Sequence, residues 1–439
     1  LHTGTATLNI TVTPVSDAPG VTRDAATIIT AEDASVALGF NAPTRSADTV
    51  DQNGSTIAGD NPERLGLITL SGIPSGAQLL DGTNGNAALF TSNGGAITVL
   101  LSDVPAAQMI ANPGAATLTM TRTQFEAMRV LPAADNATNF TATMSVTEYE
   151  VDAAGNPLSG IAGATTSTTV AVDVRAVTDL VDLKIGGSDT TYSATISEDT
   201  PLNLTALLSA SFADLDGSEQ RSITFSNPSG NGTIYVNGHA VAGGASYTIA
   251  ATDAGNDLET SPTGFPIIVI TTDNHFSGDL KGVEVTLSAK DTDADSTVNT
   301  LLQSNSVMLD LYVKPVADPV TVTNVVTRED TAVRFLQGIA LTDTDGSETL
   351  TGITINALPD NWVLRDNTGN VVHVGDGATP YTVPASALVS GVFRDYTITP
   401  PAHSSDDISV SLSLTSTDTR TVNGTTEVVT QTNFVSQSV

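Results

Sequence analysis

Residues 343–348 read Asp-Thr-Asp-Gly-Ser-Glu and residues 214–219 read Asp-Leu-Asp-Gly-Ser-Glu, with a degraded counterpart at Asp48-Thr-Val-Asp51-Gln-Asn-Gly. A signature that recurs along a chain marks a tandem repeat, and its flanks recur with it. About fifteen residues upstream stands an acidic pair, Glu32-Asp33-Ala, Glu198-Asp199-Thr or Glu329-Asp330-Thr. Each pair is read as the start of a first strand. Before it lies a proline-stiffened linker carrying one aspartate: Pro14-Val-Ser-Asp17-Ala-Pro19, Ala176-Val-Thr-Asp179-Leu180 and Pro315-Val-Ala-Asp318-Pro319. A final acidic loop closes each unit, at Glu148-Tyr-Glu150-Val-Asp152, Asp291-Thr-Asp293-Ala-Asp295 and Thr417-Asp418.

These signals divide the 439 residues into a last strand and linker of a preceding repeat (1–17), then repeats at 18–178, 179–317 and 318–439. From acidic turn to final loop the second repeat spans 77 positions, the third 75 and the first 104. The first repeat is therefore enlarged. Ile73-Pro74 to Asp81 matches Leu358-Pro359 to Asp366, which places the additions near 49–64 and 86–118.

Between these markers the chain alternates small polar with β-branched or aliphatic residues, as in Thr7–Thr13, Thr168–Val174 and Ser306–Val313. That is the period of half-buried strands. Turn dipeptides punctuate them at Asn53-Gly54, Asp81-Gly82, Asn231-Gly232, Asn237-Gly238 and Asn423-Gly424. Helical turns are expected only at Thr123–Met128 and Pro384–Val389, each before a strand that ends in proline. The fold class is all-β, three tandem antiparallel sandwich domains.

Forty-eight acidic against 16 basic residues give a net charge of −32. That field repels phosphate backbones and anionic headgroups, so neither nucleic acid nor membrane insertion is expected. With 40% hydrophobic residues the chain still has apolar surface enough for packed cores. It has no cysteine, hence no disulfide and no thiolate site. The five histidines fall in separate segments, with no His-Glu-x-x-His, and no serine sits in a Gly-x-Ser-x-Gly elbow. No catalytic residues are expected. Trp362, in Asp360-Asn-Trp-Val-Leu, reads as core.

The Glu-Asp-Thr, Asp-x-Asp-Gly-Ser-Glu and Pro-Val-x-Asp-x-Pro elements resemble those of the cadherin-like, immunoglobulin-like tandem repeats of large bacterial RTX-type surface adhesins. The resemblance covers nearly the whole chain. It implies seven-stranded sandwiches, Ca2+ at the junctions between repeats and an extracellular, bacterial cell-surface setting.

Hard cations take about six to eight oxygens, which clustered Asp-x-Asp turns with glycine supply. Asp291-Thr-Asp-Ala-Asp-Ser is no EF-hand, because Ser296 replaces the glycine and Leu302 the closing glutamate. The expected metal ligands are Glu32, Asp48, Asp51, Asp179, Glu198, Asp199, Asp214, Asp216, Glu219, Asp291, Asp293, Asp295, Asp318, Glu329, Asp330, Asp343, Asp345, Glu348 and Asp418. If the Asp-x-Asp turn follows the first strand, each turn faces the next repeat. One junction then gathers Asp214, Asp216 and Glu219 with Asp318, Glu329 and Asp418. The preceding one gathers Asp48 and Asp51 with Asp179, Glu198, Asp291, Asp293 and Asp295. The expected function is a Ca2+-rigidified extender whose partners are neighbouring repeats of the same chain. A second reading gives the enlarged first repeat a host, surface or other-cell ligand, glycan or protein.

Overall fold

The computed structural model describes residues 4–11, 13–46, 63–110, 117–152, 154–212, 219–250, 267–291, 302–343 and 345–439. Its strand ladders fall in three stretches of sequence. In the first, a seven-stranded sheet that includes Thr27–Ala31, Phe140–Glu150 and Ala164–Arg175 accompanies a four-stranded sheet of Val36–Ala37, Met128–Leu131, Gln78–Asp81 and Ala87–Thr91. In the second, a five-stranded sheet centred on Gly278–Asp291 and Gln303–Lys314 accompanies a four-stranded and a two-stranded sheet. Two four-stranded sheets make the third, built on Glu348–Ile355, Ser409–Val422 and Thr425–Ser438 and on Val363–Arg365 and Thr397–Thr399. By compactness the chain forms two units: Leu1–Leu180 with Phe212–Gln220 and Ala289–Gln303, and Val181–Ser211 with Arg221–Ser288 and Ser304–Val439.

The period-2 segments build these sheets because alternate side chains point to one face. Val170, Val172 and Val174 are buried while Ala171 and Asp173 between them are less so, and Val307, Leu309, Leu311 and Val313 repeat the pattern. Phe40, Leu70, Leu79, Phe125 and Met144 share one core, and Phe335, Leu364, Phe393, Ile398 and Leu412 another. Trp362 lies in the latter at 3% exposure. Trp362→Ala is expected to cost about 3–5 kcal/mol, read as a lowered urea midpoint by far-UV circular dichroism; an unchanged midpoint would place the ring outside the core.

Asn237-Gly238 and Asn423-Gly424 are two-residue hairpin turns with both residues at positive φ (51° and 82°, 49° and 75°), the twist-matched geometry those dipeptides favour. The expected helical turns are Arg122–Glu126 and Ala385–Ser390; the first opens on a capping box between Thr121 and Gln124.

Three expectations change. The pairing is not uniformly antiparallel: Thr27–Ala31 runs parallel to Ala164–Arg175, and Thr191–Ser197 parallel to Gln303–Lys314. An odd number of alternating strands makes the first and last run the same way. Residues 4–11 and 13 form no strand, and Leu8 and Ile10 are 82% and 78% exposed; an alternating pattern becomes a strand only against a partner edge. In the enlarged first stretch, Ala87–Thr91 pairs with Gln78–Asp81 as Val371–Val374 pairs with Val363–Arg365, so that hairpin is shared. The extra element is Thr117–Met120, added in parallel to Ile97–Leu101; residues 49–62 lie outside the described residues.

Candidate cation sites around the linker aspartates

In the first two copies a strand ends at the Glu-Asp pair, and in all three a two-residue strand begins just beyond it, at Val36–Ala37, Leu202–Asn203 and Val333–Arg334. Glu32-Asp33 follows Thr27–Ala31 and Glu198-Asp199 follows Thr191–Ser197. The aspartate takes left-handed φ in all three copies: 57° at Asp33, 56° at Asp199 and 59° at Asp330. A second left-handed residue faces it from the loop after a late strand, Asp135 (51°), His275 (58°) and His403 (58°). Asp and His are among the few side chains that accept this conformation readily. In every copy the late residue's backbone N–H donates to the first aspartate's Oδ1, at 3.3 Å for Asp135 to Asp33, 2.9 Å for His275 to Asp199 and 3.0 Å for His403 to Asp330. One oxygen of each aspartate is thereby fixed and the carboxylate oriented.

The glutamate beside it reaches the linker that follows. Glu32 Oε1 accepts the Val177 N–H at 2.5 Å, and Glu198 Oε1 accepts that of Val316. Glutamates at the start of a later strand reach the linker that precedes them. Glu63 Oε1 accepts the Asp17 N–H, and Glu348 Oε1 that of Asp318 at 2.7 Å. The linker that carries Asp318 is thus held from both sides, by Glu198 at Val316 and by Glu348 at Asp318.

Asp33, Asp135 and Asp179 offer oxygens that lie within 4.8 Å of one another. Asp291 is 1% exposed, and its N–H donates to Thr178 Oγ1 at 2.9 Å. Burial, then the charges of Asp135, Asp33 and Asp291, raises the Asp179 carboxyl above its ordinary value. Around Asp318 there are two such groups. Glu198, Asp343 and Asp418 share one; Asp199, His275 and Asp318 share the other. Glu198 and Asp418 are 3% and 0% exposed, and Glu198 Oε2 and both Asp418 oxygens lack a hydrogen bond of normal geometry. Burial, with Asp418, Asp343 and Asp199 nearby, pushes Glu198 up to about 8 against the single opposing Val316 N–H. Burial likewise raises Asp418 and Glu348. Hydrogen bonds tie Asp343 and Asp345 to neighbouring N–H groups. Asp343 Oδ1 accepts the Asp345 N–H at 2.8 Å, Asp345 Oδ1 that of Ser347 at 2.7 Å, and Asp345 Oδ2 that of Ser277 at 3.1 Å.

Carboxylate oxygens buried without donors carry a large desolvation cost, which coordination of a divalent cation is able to offset. Glu198, Asp343 and Asp418 fit a hard cation by donor type, as do Asp33, Asp135 and Asp179.

The expected grouping is therefore corrected in its polarity. The Glu-Asp pair is itself the loop after the first strand and the Asp-x-Asp turn comes one reversal later, so the two exchange ends. Glu198 meets Asp343 and Asp418 of the following repeat, not Asp179, and Asp318 meets Asp199. Glu329 is exposed and Asp330 pairs with His403, so neither joins the Asp318 group. Glu219 opens the strand Glu219–Ser226. Asp48, Asp51, Asp214, Asp216, Asp293 and Asp295 lie outside the described residues. Asp135 and His275 were missed by sequence reasoning. The parallel between Pro132-Ala-Ala-Asp135 and Pro400-Pro-Ala-His403 was the available signal.

In the first repeat Glu63 and Glu148, both 0% exposed, make a comparable pair. Glu148 accepts the Ser46 N–H at 3.0 Å; burial, with Glu63 adding, pushes its carboxyl up to about 7. Asp152 only caps its own loop, accepting the N–H groups of Ala154 and Asn156 at 2.9 Å. Among the described residues no helix is long and apolar enough to cross a membrane.

No model of a known protein family matches the chain, and no curated protein does. Among solved structures it is similar to the human mucin-like protocadherin EC1-2 (14% identity, 68% of this chain and 98% of that one, TM-score 0.24) and to mouse protocadherin-24 EC1-3 (11%, 71% and 83%, 0.21). It is also similar to CfaE, the adhesive subunit of the CFA/I fimbria of enterotoxigenic Escherichia coli (9%, 43% of this chain and 63% of that one, 0.24). The chain thus spans less than two thirds of CfaE, and all three scores are low.

Proposed function

We propose that this chain is an extender segment of an extracellular, bacterial cell-surface adhesin, built from three sandwich repeats whose junctions are stiffened by Ca2+. The observation that carries the proposal is the convergence of Glu198, Asp343 and Asp418, from either side of linker residue Asp318, with Glu198 Oε2 and both Asp418 oxygens buried and making no hydrogen bond of normal geometry. Two carboxylates at that spacing repel by roughly 3–4 kcal/mol at an effective dielectric near 20. Without a cation the junction relieves this by splaying or by keeping a proton. With Ca2+ the same oxygens become ligands and lock two repeats through one hinge. Extracellular Ca2+ suffices for modules with Kd of about 10⁻⁴–10⁻³ M. The adhesin setting rests on the resemblance of the repeat motifs, and a spacer of this kind uses no catalytic group.

The chain's lack of cysteine makes site-directed spin labelling direct. With labels at Ser193→Cys and Ser386→Cys, both exposed, the distance distribution across the Asp318 linker is expected to narrow when Ca2+ replaces chelator. Equal widths in the two conditions would remove the stiffening role.

A further inference from the structure

The two described junctions are built alike but differ in one donor. Where Asp135 faces Asp33 and Asp179, His275 faces Asp199 and Asp318. The backbone is the same at both positions, left-handed at 51° and 58°, with the same N–H donated to the neighbouring aspartate. The substitution therefore changes ligand chemistry while leaving the loop in place.

His275 Nδ1 lies 2.7 Å from Asp318 Oδ2 and 3.3 Å from Asp199 Oδ2. Neither approach has hydrogen-bond geometry, although Nδ1 and Asp318 Oδ2 are both inaccessible to solvent. The three side chains stand at ion-pair distance, with one nitrogen and two carboxylate oxygens within 4.8 Å of one another, a spacing that also suits ligands of a common ion. Imidazole nitrogen suits Zn2+, Ni2+ and Cu2+ and is a poor donor to Ca2+, whereas carboxylates serve either class.

We infer that Asp199, His275 and Asp318 form a site for a borderline transition-metal ion of the Zn2+ class, beside the all-oxygen group Glu198, Asp343 and Asp418. The inference rests on reading the junctions as cation sites. It assigns the second junction a mixed metal content that the all-oxygen Asp33, Asp135 and Asp179 site does not share. The other described histidines offer no equivalent: His239 and His373 stack on Tyr247 and Tyr381, and His403 meets only Asp330 among the carboxylates.

The test is Zn2+ titration calorimetry on the full chain at pH 7.5 in millimolar Ca2+, with His275→Asn, His275→Asp and His403→Asn. Asn and Asp both tolerate the left-handed backbone, so folding is retained and is checked by the melt. The expected result is one Zn2+ per wild-type chain, weakened at least about 10-fold in both His275 variants and unchanged in His403→Asn. Zn2+ binding that survives in His275→Asn, or is lost in His403→Asn, overturns the assignment. Melts in Ca2+ separate the two readings. A Ca2+-dependent rise without His275-dependent Zn2+ binding removes only this inference, and Zn2+ binding without that rise removes only the Ca2+ reading. Absence of both removes both.

Discussion

Millimolar Ca2+ is expected to raise the melting temperature of the wild-type chain, and Asp418→Asn to reverse its sign of effect between conditions. With Kd near 10⁻⁴ M and about 2 mM Ca2+, each filled site adds roughly 2 kcal/mol, or several degrees for a domain of this size. Asp418 is fully buried, and its carboxylate stands against Glu198 and Asp343. In chelator near pH 8.5 the amide removes a repelling charge and can donate to the orphaned oxygens, so Asp418→Asn melts above wild type. In Ca2+ it lacks a charged ligand and melts below. The measurement is a pair of melts per protein. A wild type indifferent to Ca2+, or a variant that melts lower in both conditions, would make these acids ordinary buried structure.

In chelator, stability is expected to fall as pH rises from 5.5 to 8.5, and Ca2+ to abolish most of the fall. The folded chain holds Glu198 up to about 8 and Glu148 up to about 7, above the ordinary glutamate value of 4.5. Between those limits the folded state binds more protons than the unfolded, so the stability present at low pH is lost as pH climbs through the folded values. Ca2+ requires the deprotonated forms, so its effect grows over the same window. The melts in chelator and in Ca2+ should nearly coincide at pH 5.5 and separate by roughly 5 °C or more at pH 8.5. The net charge of −32 also destabilises the chain as pH rises. Glu198→Gln separates the two effects, because its chelator melt should fall less steeply than wild type's. A wild-type melt in chelator that is flat or rising would contradict the raised carboxyls.

Local rules sufficed for much of the fold. Alternation placed Thr168–Val174 and Ser306–Val313 in strands, Asn237-Gly238 and Asn423-Gly424 in hairpin turns, and the two short helices within a few residues of their positions. These features depend on neighbours in sequence: side-chain period, positive-φ tolerance and capping. Which acids meet was not local. The motifs named Glu198, Asp318, Asp343 and Asp418 as candidates, yet reading Glu198-Asp199 as the start of a strand, not its end, inverted which repeat each one faces.

The sequence by itself determined an acidic, cysteine-free, repeated all-β chain with one aspartate in each linker, because composition and recurrence are properties of the string. Only the tertiary structure decided that Asp135 and His275 stand across from Asp33 and Asp199. They are brought there by strands that close the sandwich from over 70 residues away, and loop closure at such separation follows strand parity and pairing, which no local pattern encodes.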